Sequence, residues 1–260
     1  MKLFSLIFCL WSVAACRPPE APETLDELAS FLFAHTWDDD ESYLQPGIEN
    51  LMVWLDANFD QTSEGYEVTN ITPEAVESVA GEDRALEGLI GAAVGYDIAY
   101  PLADVVDVML FEDPMEVYPG DYEFYEREFL TDTECFKERT CMHLENQIHL
   151  AANYPLGIVG ESHTQMQNHW VETEAGMAYV HRNWTRWEPD ISVDWLIIRQ
   201  QYYMAVTLPK KDGTTRRLAA MWLDAEILNA GIPDAMALSM TIDTMASTGD
   251  KVAAYLAQSE

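Results

Sequence analysis

Positive charge is scarce in this chain. Its 260 residues hold 14 Lys and Arg against 45 Asp and Glu, a formal net charge of -31. A surface of that sign repels phosphate backbones and anionic bilayers, which excludes nucleic acid as a partner class. Cysteine is also sparse, with four residues and no Cys-x-x-Cys pair, so no thiol redox chemistry is assigned. The sequence has no Gly-x-Ser-x-Gly elbow, no His-Glu-x-x-His helix and no phosphate-cradling glycine loop. Asp and Glu are too numerous for any catalytic pair to stand out. No catalytic residue is named, the reading leans away from an enzyme, and no cofactor is expected. What remains is globular composition, 48% hydrophobic and 23% charged, long enough for a sizeable core and without internal repeats.

Long apolar runs are missing too, with one exception at the N-terminus. Lys2 precedes Leu3–Ala15, interrupted only by Ser5 and Ser12 and too short to span a bilayer as a mature helix. The run ends in Val13-Ala14-Ala15-Cys16. This resembles the bacterial lipoprotein signal, in which an aliphatic residue and two small residues precede a cysteine. The resemblance implies cleavage after residue 15 and diacylglycerol plus a further acyl chain, such as palmitate, on Cys16. Because Arg17 is not the Asp that retains many lipoproteins at the inner membrane, the outer membrane is expected, facing the periplasm or the cell surface. An ordinary secretory signal is the alternative. Residues 16–22, with Pro18, Pro19 and Pro22, read as an extended tether. Export would leave Cys135 and Cys141 as a small-loop disulfide, against the alternative of two free thiols or a transient metal pair.

Residues 23–85 read as a helical segment. Thr24-Leu25-Asp26-Glu27 fits a capping box, and Leu25, Leu28, Leu32 and His35 share a helical face ending at Asp38-Asp39-Asp40-Glu41. A second helix is expected from Pro46, with Ile48, Leu51, Met52, Leu55 and Phe59 at helical spacing, and a short one after Pro73. Residues 86–260 read as an α+β domain. A strand through Leu86–Tyr100 and a short helix through Pro101–Phe111 are followed by six strand-like stretches between Tyr122 and Ile227. A terminal helix beyond Pro233 completes the order, with Gly249 expected to kink or split it. Asp212-Gly213 is the strongest hairpin signal.

That order, together with Tyr100-Pro101-Leu102-Ala103-Asp104-Val105-Val106 at the head of the first helix, is similar to the helix-grip arrangement of the START and polyketide-cyclase-like superfamily. The resemblance implies an antiparallel sheet curled around a C-terminal helix, with an apolar cavity between them. A lipocalin-like barrel and an unclassified α+β sheet are the alternatives. In the helix-grip reading, Leu238, Ile242 and Met245 face Trp195 and Trp222 and bind an apolar or amphipathic small molecule or lipid without catalysis. The strand aromatics serve equally well as core.

Charge is uneven: residues 16–150 hold 32 acids and 5 bases. This is a solvated face, or a docking face for a basic protein partner or divalent cations. An envelope interaction module is therefore the alternative function. His143 and His149 share a strand face, as do His163 and His169. Six residues along a strand span about 20 Å, so neither pair chelates alone; up to four imidazoles could converge if the two strands were adjacent, but no metal site is expected. Asp56, Asn58, Asp60, Thr62, Glu64 and Glu67 overlay a calcium loop, but Gln61 stands where the turn needs glycine.

The lipid reading has a direct test. Cys16→Ser should leave the precursor unprocessed and without acyl label in cells fed radiolabelled palmitate. Normal processing and labelling of that variant would refute it.

Overall fold

The computed structural model describes residues 20–68, 71–80, 84–228 and 234–258, leaving aside the side chains of 234–238 and 240. The apolar N-terminal run and Cys16 lie outside the described residues. The end of the expected tether lies inside them. Ala21 is buried, and the Asn50 amide donates to the carbonyls of Ala21 (3.0 Å) and Pro22 (2.9 Å).

Helix α1 (Leu25–His35) buries Leu25, Leu28, Ala29, Leu32 and Phe33. The expected capping box gives way to a side-chain contact: the Thr24 hydroxyl donates to Glu27 at 3.3 Å and takes no backbone N–H. Helix α2 (Glu41–Ser63) begins earlier than Pro46, because Asp40 caps it by accepting the Ser42 N–H at 2.9 Å. The acidic run thus ends one helix and starts the next, where the helix dipole favours carboxylates. Pro46 lies inside α2, where only the one bond back to residue 42 is lost. The calcium-loop overlay fails for the same reason: Asp56, Asn58, Asp60 and Thr62 belong to α2 and radiate around it.

The chain continues through β1 (Tyr66–Val68), α3 (Pro73–Ala80), β2 (Leu89–Ile98), α4 (Leu102–Met109), β3 (Tyr122–Phe129) and α5 (Thr133–Lys137). Then come β4 (His143–Tyr154), β5 (Ile158–Thr173), β6 (Gly176–Thr185), β7 (Asp190–Ile191), β8 (Leu196–Pro209), β9 (Thr215–Ile227) and α6 (Asp234–Leu256). The strands form one curled, open antiparallel sheet in the order β1-β2-β9-β8-β6-β5-β4-β3, with β7 pairing β5. The α+β helix-grip arrangement is therefore the one found. The short elements β1, β7 and α5 had no periodic signal to announce them. At the β8–β9 hairpin, Gly213 takes φ 84°, open to glycine without steric cost, and the Asp212 carboxylate accepts the Thr214 N–H.

Strand alternation splits the sheet's side chains between two cores. On the outer face Val171, Val180, Tyr202, Met204, Leu218 and Trp222 pack against α1, α2 and α3. On the inner face α4 and the end of α6 meet Leu144, Trp170 and Tyr179, and Met245 of α6 lies among Ala92, Val94, Ala205 and Ala219. Residues 23–85 thus share a core with the sheet. Cys135 and Cys141 are disulfide-bonded, as expected. Between them Phe136 stacks on Trp170 and accepts its indole N–H at 3.0 Å.

Gly249 does not break α6; it lets the helix approach. A Cβ there would sit 2.4 Å from the Tyr96 ring. In an exposed helix Gly→Ala stabilises by about 1 kcal/mol. Here Gly249→Ala should destabilise instead, by about 1–3 kcal/mol from overpacking, read as a lower urea midpoint. A raised midpoint would show that Tyr96 yields freely.

Candidate functional site

Antiparallel register lines up the inner-face residues in rows. One row runs Trp170, Tyr179, Thr207, Arg217 and Tyr96 across β5, β6, β8, β9 and β2. The next runs Asn168, His181, Ala205, Ala219 and Val94, and the third Asn146, Met166, Asn183, Tyr203, Met221 and Ala92. Alanines occupy the second row, where α6 lies close. Thr207 and Arg217 stand in the row on one side of it, and Asn146, Asn183 and Tyr203 in the row on the other.

Arg217 is the centre of this polarity. It is only 2% exposed. Its Nη1 donates to the Thr207 hydroxyl and faces the Met109 sulfur at 3.3 Å, and its Nη2 lies 3.3 Å from both the Tyr203 hydroxyl and His181 Nε2. Burial works against the charge while the oxygens of Tyr203, Tyr96 and Tyr179 favour it, and the net direction is upward. The guanidinium therefore stays charged. Among the described residues no carboxylate pairs with it.

His181 is pushed well below its usual range by burial and then by the charges of Arg217 and Arg127, so it is neutral. Because its Nε2 faces an arginine donor, its proton belongs on Nδ1, and that atom is buried with no partner. Arg127 of β3 donates to the carbonyls of Met109 (3.0 Å) and Phe111 (2.8 Å) and to the Tyr125 hydroxyl (2.6 Å). Its Nε and the Nε of Arg217 are likewise buried without acceptors, and the Asn146 amide is buried with neither an acceptor for its nitrogen nor a donor for its oxygen. The inner face thus holds an excess of donors and no acid to receive them. Buried polar groups left this way lack the partners that such groups normally find.

The five expected ligand-wall residues are not brought together. Met245 and Ile242 lie on the inner face, as expected. Trp222 is on the opposite face, fully buried against α1 with its ring 6.0 Å from Phe33, because residues 218, 220 and 222 alternate outward while 217, 219 and 221 turn inward. Trp195, half-buried just before β8, stands outside the Met245 cluster. Leu238 belongs to α6, with its side chain outside the description. The sequence reading missed Arg217, His181 and Arg127; Tyr203 was among the strand aromatics it weighed as pocket or core. The available signal was Arg217 itself, a cation at an inward position between Thr215 and Ala219.

The histidines pair across strands rather than along them. His143 faces His169, and His149 faces His163, with ring centroids 3.9 Å and 4.0 Å apart. The first pair abuts α1, where His169 Nδ1 donates to the Thr36 carbonyl at 2.9 Å. The second lies at an open cleft of about 250 Å³ bounded also by Glu126, Glu128 and Arg186.

Among the solved structures similar to this chain is a STAR-related lipid transfer protein fragment from Xanthomonas axonopodis. It is 13% identical, with a TM-score of 0.42, over 66% of this chain and 96% of that one. A START superfamily protein from Mycobacterium smegmatis is 8% identical, with a TM-score of 0.45, over 65% and 99%. The human StarD13 lipid transfer and protein localization domain is 8% identical, with a TM-score of 0.41, over 79% and 95%. No protein-family model and no curated protein matches the chain. At such identities and scores the likeness carries no ligand from those proteins to this one.

His169, 1% exposed, gives the protein a pH dependence of definite sign. Burial first, then His143, lowers its pKa to about 4. The unfolded chain takes up this proton near pH 6.5, so acidification favours unfolding. Stability from this group is complete above about pH 6.5 and is lost progressively towards pH 4. At about 1.4 kcal/mol per unit, the loss reaches about 2–3 kcal/mol by pH 4.5. Urea unfolding at pH 7.5 and 4.5 should show that drop in the native chain and a drop smaller by that amount in His169→Gln. Equal drops in both would refute the assignment.

Proposed function

We propose that the inner face of the sheet binds, without catalysis, an amphipathic molecule with an anionic oxygen head group, and that the protein is held in the bacterial cell envelope by a lipid on Cys16. The observation that carries the first part is the buried Arg217 guanidinium with no carboxylate opposite it. An unpaired buried charge costs several kcal/mol, and a chain with only 14 Lys and Arg places two of its arginines on this one surface. Carboxylate or phosphate oxygens would accept from Arg217 Nε, Arg127 Nε and His181 Nδ1, which are among the inner-face donors left over. Ile242, Met245, Met221 and the alanine row supply apolar surface for a chain. Methionine adapts to varied shapes. The Cys16 anchor rests on the Val13-Ala14-Ala15-Cys16 pattern alone.

Thermal unfolding with single-chain probes tests the ligand. Oleate should raise Tm in a concentration-dependent way, because it binds only the folded state, and oleyl alcohol should do so at least tenfold less effectively. Arg217→Met should keep the unliganded Tm or raise it, while removing the preference for oleate. Equal responses to the acid and the alcohol, or an unchanged preference in Arg217→Met, would overturn the anionic head-group reading. No response to either probe would overturn ligand binding and leave an envelope interaction module.

A further inference from the structure

On the outer face, Glu126 of β3, His149 of β4 and His163 of β5 stand directly opposite one another in register, with Glu161 two residues from His163 on the same side of β5. Glu161 Oε1 lies 2.7 Å from His149 Nε2, and Glu126 Oε2 lies 3.6 Å from His149 Nδ1, on the other edge of that ring. One ligand atom from each of His149, Glu161 and His163 falls within 4.8 Å of the others. We propose that His149, His163 and Glu161 bind a divalent transition-metal ion of the zinc class, with Glu126 as a positioning residue.

The donor set decides the class of ion. Two imidazoles and one carboxylate suit Zn²⁺ and its first-row neighbours, whereas Ca²⁺ and Mg²⁺ require oxygen ligands. Three protein ligands leave a fourth position for water or a small anion, and here it opens into the cleft. Ligand atoms around a tetrahedral zinc stand about 3.3 Å apart, as bond lengths of about 2.0–2.1 Å dictate. The three donors lie within 4.8 Å of one another and must close to that spacing, with Glu161 exposed and both histidines only half-buried. Antiparallel pairing already fixes their Cβ atoms as near neighbours.

Glu126 acts through His149. Here Nε2 donates to Glu161 and Glu126 stands 3.6 Å from Nδ1; on metal binding Glu126 would close on Nδ1 and hold the ring in the tautomer that presents the Nε2 lone pair, a common arrangement behind metal-bound histidine. Arg186 is the opposing charge in the cleft wall. It lies 5.1 Å over the Trp187 ring, and Glu126, Glu128 and Glu161 outnumber it. The site is separate from the inner-face ligand surface, so either proposal stands without the other.

Calorimetric titration of the purified chain with Zn²⁺ should give one ion per chain at this site, with a Tm that rises with Zn²⁺ concentration. His149→Ala and His163→Ala should each weaken binding at least tenfold while leaving the metal-free Tm near that of the native chain. Glu126→Gln should weaken it about tenfold without moving the Co²⁺ visible absorption bands, whereas Glu161→Gln should move them. Because the Trp187 ring lies 4.7 Å from His163, Ni²⁺ should quench part of the tryptophan emission, and Trp187→Phe should remove that part. His143→Ala should change none of these. Absence of Zn²⁺ binding, or binding that survives both His149→Ala and His163→Ala, would overturn the site. Loss of binding in His143→Ala alone would place the ion on the other histidine pair and overturn it as well.

Discussion

The architecture depends on one buried cation at the end of a helix. Arg182 of β6, 3% exposed, sends Nη1 into the last turn of α1, where it donates to the carbonyls of Phe33 (2.7 Å) and Ala34 (2.9 Å). Its Nε donates to Gln167 at 2.9 Å, and burial brings its pKa down to about 10, still far above neutrality. The last carbonyls of a helix have no partners within it and carry the negative end of the dipole. Arg182 satisfies two of them, the Asp38 N–H satisfies that of His35, and His169 satisfies that of Thr36. The helical segment is thereby fixed to the sheet by hydrogen bonds whose loss would strand buried polar groups on both sides. Apolar packing of Leu28, Leu32 and Phe33 supplies the bulk of the contact; these bonds fix its position along the strands.

The two faces of the sheet use their arginines oppositely. Outside, Arg182 finds carbonyls and the structure closes over it. Inside, Arg217 finds hydroxyls, a sulfur and a neutral imidazole, a set that solvates a charge without neutralising it. The same alternation of side chains therefore yields a closed junction on one side and an open valence on the other. Net charge conceals this, because the acids that make the total -31 are mostly on the surface while the inner face holds the opposite sign.

The periodic elements were legible in the sequence. Leu25, Leu28 and Leu32 announced α1, and the long strands were found to within a few residues, because burying one face imposes a repeat. Short elements without a repeat, β1, β7 and α5, were not. The start of α2 was misjudged because Pro46 drew the boundary although Asp40 had the capping side chain. The inner site was illegible for a different reason. Which side of a strand faces which layer is a matter of parity, and the helical segment covering the outer face took Trp222 with it. Likewise, pairing of His149 with His163 depends on register between strands, which no single strand encodes.

The grip of Asn50 on the carbonyls of Ala21 and Pro22 also sets a length. Five residues separate Cys16 from Ala21, and a fully stretched chain covers at most about 18 Å over that distance. With the acyl chains proposed for Cys16 in a bilayer, the domain would be on a short leash, unable to rise one molecular diameter from the surface. The inner face would then draw its ligand from a crowded two-dimensional reservoir rather than from dilute solution. High local concentration does part of the work of affinity under such confinement, so even a weak site would stay filled.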